Sequence, residues 1–362
     1  MTQWIWEQPG WPSLNYNVPA LRGLEDRYLH LSGVAVGTIH HLPEDRKTAI
    51  KIDLFEEEAI DTSLIEGEIL DRASVQSSLR RSLGLSAPFR QRERENGVAE
   101  LMTAVASSFS TDLTTETLCA WHHLVVAGRG DVDEVGRYRT HPATMQIISG
   151  PIGRERIHYT APPSESVPAE MDRFLAWFNG SPATTPALAR AGIAHLWFET
   201  IHPFEDGNGR IGRAIAQMAL GQAIGSAPIA MLSEIITRSK TAYYDGLNAA
   251  QRGGSLDDWL NYFAQTTIAA QERTIQRIRF IMAKTRFLDT HSKQMNDRQR
   301  KAVMRMFDAG PDGFVGGLSA TNYRSITKAT VPTTTRDLND LVDIGVLRRE
   351  GERRYARYHL TI

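Results

Sequence analysis

Twelve consecutive residues, His202-Pro203-Phe204-Glu205-Asp206-Gly207-Asn208-Gly209-Arg210-Ile211-Gly212-Arg213, place an imidazole, a hard carboxylate, two glycines around an amide and two guanidiniums within reach of one another. This combination can hold a polyphosphate and let an external hydroxyl attack it. Gly207 and Gly209 lack a Cβ, so the backbone there can take positive φ and come close to a ligand. Successive N–H groups in such a turn make a concave anion site. Downstream, Ile211, Ala214, Ile215 and Met218 recur at helical spacing, which predicts a helix from about Arg210. The bend then feeds a helix N-terminus, where free N–H groups and the macrodipole favour phosphate. Arg210 and Arg213 share its first turn and offer planar donor forks. Asp206 has the oxygen chemistry of a Mg²⁺ ligand bridging to phosphates. His202 is expected at the rim, titrating near neutrality, where it can accept a proton from the incoming hydroxyl.

The elements around the bend follow from pattern. Ile193, Leu196 and Trp197 predict a buried helix ending near His202, with Pro203 as its stop and Phe204 plugged into the core. A Walker-type G-x-x-x-x-G-K-[ST] run is absent from the sequence, so the site is not an ordinary P-loop.

At these residues the chain resembles the Fic family. The pattern His-Pro-Phe-x-[Asp/Glu]-Gly-Asn-Gly-Arg-x-x-Arg is met at every fixed position from His202 to Arg213. The resemblance implies a mainly α fold: a helical core with a β-hairpin flap. The activity it implies is protein AMPylation, in which AMP passes from ATP to a Ser, Thr or Tyr hydroxyl of a target protein and of the enzyme itself. His202 would be the general base and Asp206 the Mg²⁺ ligand. Gly207, Asn208 and Gly209 would cradle the α- and β-phosphates, with Ile211 and Gly212 in the same nucleotide-binding run. Arg210 would contact the phosphates and Arg213 the γ-phosphate. Relatives resembling the Doc toxins carry Lys at the second Gly and phosphorylate instead; Gly209 argues against that inverted chemistry. Phosphocholine-transferring relatives share much of the bend, so another donor stays open.

A second run, Thr62-Ser63-Leu64-Ile65-Glu66-Gly67, resembles the family's inhibitory pattern [Ser/Thr]-x-x-x-Glu-[Gly/Asn]. Thr62 and Glu66 share a helix face, and Ile60, Leu64, Ile65 and Ile69 supply an apolar side for docking. Glu66 is expected to pair with Arg213 in the place of the γ-phosphate, leaving ATP only an unproductive pose. Removal of AMP supported by the same Glu stays open.

Other segments carry weaker signals. Ile147, Ile148, Ser149 and Gly150, followed by Pro151-Ile152-Gly153 and Ile157-His158-Tyr159, predict a hairpin. By the resemblance this is the target-docking flap, binding main chain by strand addition. His158 is taken as a packing or hydrogen-bonding residue of the flap. Tyr243 resembles a residue of the adenosine pocket, and Gln251 stands where some relatives have a nucleotide-contacting Asn. Trp4, Trp6 and Trp11 are expected to pin the N-terminal segment to its own domain. Arg90 to Gly97 reads as a solvated loop or helix end.

The C-terminal part resembles a winged helix-turn-helix, with helices expected at 297–309, 323–330 and from 333, and a wing over 348–358. DNA is a partner it leaves open, although Asp337, Asp340 and Asp343 would oppose phosphate. Domain boundaries are expected at 1–110, 111–270 and 271–362. A nucleotide-sensing DNA-binding regulator is the alternative to the enzyme, and a homodimer is left open.

Composition sets the remaining bounds. Hydrophobic residues are 41% and charged residues 23%, as in a globular protein. Lys+Arg 41 against Asp+Glu 42 gives a net charge of −1, so no global charge draws the chain to nucleic acid or membrane. The single cysteine, Cys119, excludes an internal disulfide and is expected to be a small buried residue. With no spanning apolar run or leader pattern, a cytoplasmic location and no membrane partner are expected.

Overall fold

The structure is a computed structural model that describes residues 4–87, 92–151, 154, 156–181 and 185–362. It divides into two compact units, 1–274 and 275–362. The segments expected as separate domains, 1–110 and 111–270, share one hydrophobic core running from Leu21 to Ala270 and so form a single unit.

In this first unit the helices are α1 (Val18–His40), α2 (Glu44–Ile65), α3 (Arg72–Ser82), α4 (Glu93–Ser108) and α5 (Thr115–Val125). A hairpin of β1 (Gln146–Ser149) and β2 (Arg156–Thr160) follows, then α6 (Val167–Gly180), α7 (Ala187–Ile201), α8 (Asn208–Ile224), α9 (Leu232–Arg238) and α10 (Lys240–Gln251). The long α11 (Leu256–His291) continues into the second unit. The centre is α7, in which every residue is buried because the sequence is apolar or small on all sides rather than along one stripe. It packs against α8, α6, α1 and α10. The predicted second helix of this pair starts at Asn208, two residues before the expected Arg210.

The N-terminal aromatics pin their segment as expected. Trp4 meets Tyr159 edge-on with centroids 5.1 Å apart, and the Trp6 indole donates to the Thr160 carbonyl at 2.9 Å. Trp11 packs on Trp197 at 5.7 Å and donates to Glu170 at 2.9 Å. Of the expected 90–97 loop, Arg90 and Gln91 lie outside the described residues. Residues 93–97 form the first turn of α4, with Glu95 and Gly97 buried. Cys119 is half-buried rather than buried.

The second unit contains α12 (Asp297–Phe307), α13 (Ala320–Thr327), α14 (Val331–Asp343) and a hairpin of β3 (Leu347–Glu350) and β4 (Arg357–Leu360). Val331 and Pro332 open α14 instead of separating two helices, because Pro is well placed where the first N–H groups have no helical partner. Asp337 is buried, not displayed: it accepts from Arg298 Nε at 2.9 Å and from the Tyr323 hydroxyl at 3.0 Å. The charge expected to repel a duplex is therefore spent inside the unit at that position.

Candidate active site

The bend between α7 and α8 is held from inside. His202 caps α7 in a left-handed conformation, φ 51°, which turns the chain sharply out of the helix. Phe204 is fully buried and stacks on the His122 ring, centroids 4.3 Å apart and nearly parallel. The Asn208 side chain closes the bend by accepting from Phe204 N at 2.9 Å and donating to Phe204 O at 2.8 Å. The Asn208 side chain is engaged in this latch. Gly207, at φ 80°, then starts α8.

Arg139 braces the bend from outside it, and Glu205, within the bend, ties it to residues 133 and 134. Arg139 is buried; its Nε donates to the His202 carbonyl at 2.8 Å, its Nη2 to the Pro162 carbonyl at 2.6 Å, and its N–H to the Pro203 carbonyl at 2.9 Å. Glu205 accepts the N–H groups of Asp133 and Glu134, both at 2.9 Å.

His202 does not sit at an open rim. It is 8% exposed, and burial, reinforced by the Arg139 guanidinium, pushes its pKa down to about 4. The expectation of a near-neutral histidine is corrected: a charged imidazole would pay a desolvation cost in this place. The ring is therefore neutral at physiological pH and has a lone pair to offer.

The two arginines of α8 are buried beneath the mouth of the bend. Arg210 Nη1 meets Glu68 at 2.7 Å, while its Nε and Nη2 have no hydrogen-bond partner. Arg213 donates from Nε to the Thr62 hydroxyl at 2.8 Å and from Nη2 to the Thr62 carbonyl at 2.9 Å and Glu66 Oε1 at 2.8 Å. Its Nη1 is buried without a partner. Burial works against the charge on Arg213, but Glu66 beside it raises its pKa further.

Glu66 follows the last turn of α2 as its C-cap rather than lying inside the helix. Gly67, at φ 83°, terminates the helix, and Glu68 N–H returns to the Ser63 carbonyl at 2.9 Å. The Glu66 carboxylate reaches over Gly209, where a Cβ would collide with its Oε1. The expected docking side holds at Ile65, which is buried, and at Ile60, which packs against the core, but not at Leu64, 41% exposed, or Ile69, 89% exposed. Phe55, Ala59 and Thr62 complete the buried side, and α2 ends at Ile65, short of Ile69.

Asp206 Oδ2 lies 2.8 Å from Arg129 Nη1, which also meets Glu68 at 3.3 Å. No group of three or more His, Cys, Asp or Glu that could hold a metal occurs among the described residues. A lone carboxylate is still adequate for Mg²⁺, which keeps several waters and takes one or two carboxylates plus substrate phosphates.

The flap hairpin pairs Ile147 with Tyr159 and Ile148 with Ile157, with a register shift between Ile147 and Ile148. Ile147, Ile148 and Ile157 are exposed, and Ser149 Oγ lies 2.6 Å from His158 Nε2. Gly150 follows β1 at φ 105°; Ile152 and Gly153 lie outside the described residues. Tyr243 is not on an open face. It is 1% exposed and its hydroxyl lies 2.7 Å from His195 Nε2, whereas its neighbour Tyr244 is 39% exposed. Gln251 is buried too, donating to the Glu199 carbonyl at 3.1 Å.

Sequence reasoning missed His122, Arg129, Arg139 and Glu68. Gly136-Arg137-Tyr138-Arg139 was visible as a run but gave no hint that its last residue reaches His202. The spacing of Glu68 two residues after Glu66 was the one signal for a second acid at the bend.

This bend, framed by α7 and α8, lies within residues 112–220, which match the family model described as Fic/DOC family. Residues 4–85 match a model described as a domain of unknown function, DUF4172. The chain is 30% identical over 154 residues to the protein adenylyltransferase fic-1 of Caenorhabditis elegans, covering 42% of this chain and 27% of that protein. It thus spans about a quarter of that relative's length. A Fic family protein from Desulfovibrio desulfuricans G20 shares the fold with TM-score 0.56 at 22% identity, covering 96% of this chain and 98% of its own. A Fic domain containing signaling protein from Bacteroides thetaiotaomicron VPI-5482 gives TM-score 0.53 at 16% identity, covering 72% and 96%. No helix among the described residues is long and apolar enough to cross a membrane.

Proposed function

We infer that the chain is a protein adenylyltransferase that moves AMP from ATP to a hydroxyl of a target protein, restrained by its own Glu66. One observation carries this reading: three buried guanidinium nitrogens, Arg210 Nε and Nη2 and Arg213 Nη1, have no hydrogen-bond partner beside the N–H groups that open α8, and the Asp206 carboxylate stands 3.9 Å from Arg210 Nη2. Unpaired buried donors are costly and rare, and phosphate oxygens are what satisfies such a set. The adenylyltransferase relatives support ATP as the source of that phosphate.

In the proposed reaction the His202 imidazole, neutral at pH 7, takes the proton of the incoming hydroxyl. The hydroxyl oxygen bonds to the α-phosphorus, the bond from that phosphorus to the bridging oxygen breaks, and pyrophosphate leaves. Arg210 and Arg213 hold the charge that gathers on the leaving group. Mg²⁺, bound through Asp206, would add charge neutralisation; Arg129 would have to release that carboxylate. The exposed isoleucines of the flap suit a target strand laid alongside β1, with a Ser, Thr or Tyr side chain facing His202.

Glu66 opposes this by filling, at Arg213 and over Gly209, the volume a γ-phosphate needs. The experiment is transfer of α-phosphate label from ATP by the Glu66→Gly form. Labelling of self and lysate proteins above the wild-type level supports the reading. Equal labelling removes the restraint, and no labelling by either form removes the activity. For the second unit, the helix order and β3–β4 hairpin support a winged-helix reading, with duplex binding as its test.

A further inference from the structure

The last turn of α7 carries a buried carboxyl group that the reaction above leaves unused. Glu199 is 4% exposed and lies three residues before His202, its Oε2 3.8 Å from His202 Nδ1. Glu199 Oε1, His202 Nδ1 and His195 Nδ1 are all buried without a hydrogen-bond partner. Gly212 of α8 lies against this cluster: a Cβ there would be 2.6 Å from Glu199 Oε1 and 3.1 Å from His195 Nδ1. Glycine is what leaves the carboxyl its place. The Glu199 carbonyl is engaged by Gln251, so the carboxyl is the part of the residue with nothing assigned to it.

We propose that Glu199 is a positioning residue for His202, whose carboxyl decides which imidazole nitrogen carries the proton and hence whether Nε2 can accept one. The proposal rests on the AMP-transfer reading only for what Nε2 does next. An ionised Glu199 accepts Nδ1–H, which leaves the lone pair on Nε2. A protonated Glu199 donates to Nδ1, which puts the ring proton on Nε2 and disables it as a base. At 3.8 Å the pair needs one small side-chain adjustment to bond, a looseness common in catalytic pairs before substrate is bound.

The surroundings make this choice sensitive to the restraint. Around the Glu199–His202 pair stand His195 on the same helix, Gly212 and Arg213 on α8, Tyr243 and Tyr244 on α10, Tyr159 on β2, Glu66 at the end of α2 and, on the His202 side, Arg139. Burial raises the Glu199 pKa to about 8; Glu66 raises it too, and Arg213 opposes them. A docked Glu66 therefore favours the protonated carboxyl and the disabled tautomer, and its departure favours the competent one.

The test is ring-nitrogen NMR on full-length protein labelled at histidine, from about pH 6 to about pH 9, around the value of about 8 for Glu199. The wild type is expected to shift its His202 proton from Nε2 to Nδ1 across this range, and Glu199→Gln to show no such shift. In the Glu66→Gly background, Glu199→Gln should lower kcat by roughly 10- to 1000-fold with KM for ATP unchanged, and lose the alkaline rise. Glu199→Asp, with thermal midpoints as a check on folding, should restore part of the pH dependence. A His202 tautomer that ignores pH in the wild type, or that shifts equally in Glu199→Gln, overturns the proposal. If Glu66→Gly protein with Glu199 intact transfers no AMP, the activity reading fails while the ring spectra still decide the role of Glu199.

Discussion

The bend from His202 to Arg213 and the segment from Thr62 to Glu68 meet at the same two arginines, but they are held in different ways. The bend is fixed by buried contacts that do not involve the 62–68 segment: Asn208 on both polar groups of Phe204, the His122 stack, and Arg139 on the His202 carbonyl. The polar grip of the 62–68 segment at this mouth is made by Arg213, Arg210 and Arg129 to Thr62, Glu66 and Glu68. The bend can therefore keep its shape when the segment lets go. The segment, in contrast, gives up paired charges that a triphosphate and its metal would replace. On the proposed reading, a preorganised anion site and a removable internal anion would make an enzyme that is complete but restrained.

The largest effect that probes this contrast is at the base. In the Glu66→Gly form, His202→Ala should cut transfer roughly 10²- to 10⁴-fold without weakening nucleotide binding, measured by initial rates alongside an ATP titration. An unchanged rate would take the base away from the bend. Next, Glu66→Gly alone should raise transfer roughly 5- to 150-fold, the span of ordinary coupling energies. Tightened ATP affinity should accompany it; a rate gain without any change in binding would place the restraint elsewhere.

A third change attacks the bend from inside. Asn208→Ala strands the buried N–H and carbonyl of Phe204 and should cost about 2–4 kcal/mol of stability in denaturant unfolding. A loss no larger than for Leu64→Ala, on the exposed side of α2, would contradict the claim that the bend is internally held.

Smaller still is a pH effect on stability. Burial raises the Glu199 carboxyl above its ordinary value, to about 8 in the fold, so its proton is held more tightly there than in the unfolded chain. Its contribution is present below the unfolded value and is lost as pH climbs to about 8. His202, pushed down to about 4, acts in the opposite sense below its ordinary value and is silent above it. Between about pH 6.5 and about pH 8 the carboxyl acts without this opposition, and Glu199→Gln should flatten the decline of thermal stability there.

The chemistry of the bend was legible because its residues are contiguous: imidazole, carboxylate, glycines and guanidiniums stand in one run, and the flanking apolar spacing fixed both helices. Glu66 was legible for the same reason, through its place in a short pattern. What the sequence hid was assembled across distance. Arg139, His122 and Arg129 come from segments 63 to 84 residues from their partners or comparably far, and nothing in their local spacing points to the bend. Burial was hidden as well, which is why His202 was expected to titrate near neutrality and Tyr243 to face a ligand. Periodicity misled at Ile69, since an apolar stripe is informative only while the helix lasts and α2 stops at Ile65, while Leu64 lies within α2 on its exposed side.

The most direct test of the account compares label position. Glu66→Gly protein is given Mg²⁺ and ATP labelled either at the α- or at the γ-phosphate, and protein-bound label is counted with and without His202→Ala. The account predicts α-label on protein, no γ-label, and loss of the α-label in the His202→Ala form. Transfer of γ-label, or α-label that survives the loss of the imidazole, would contradict it.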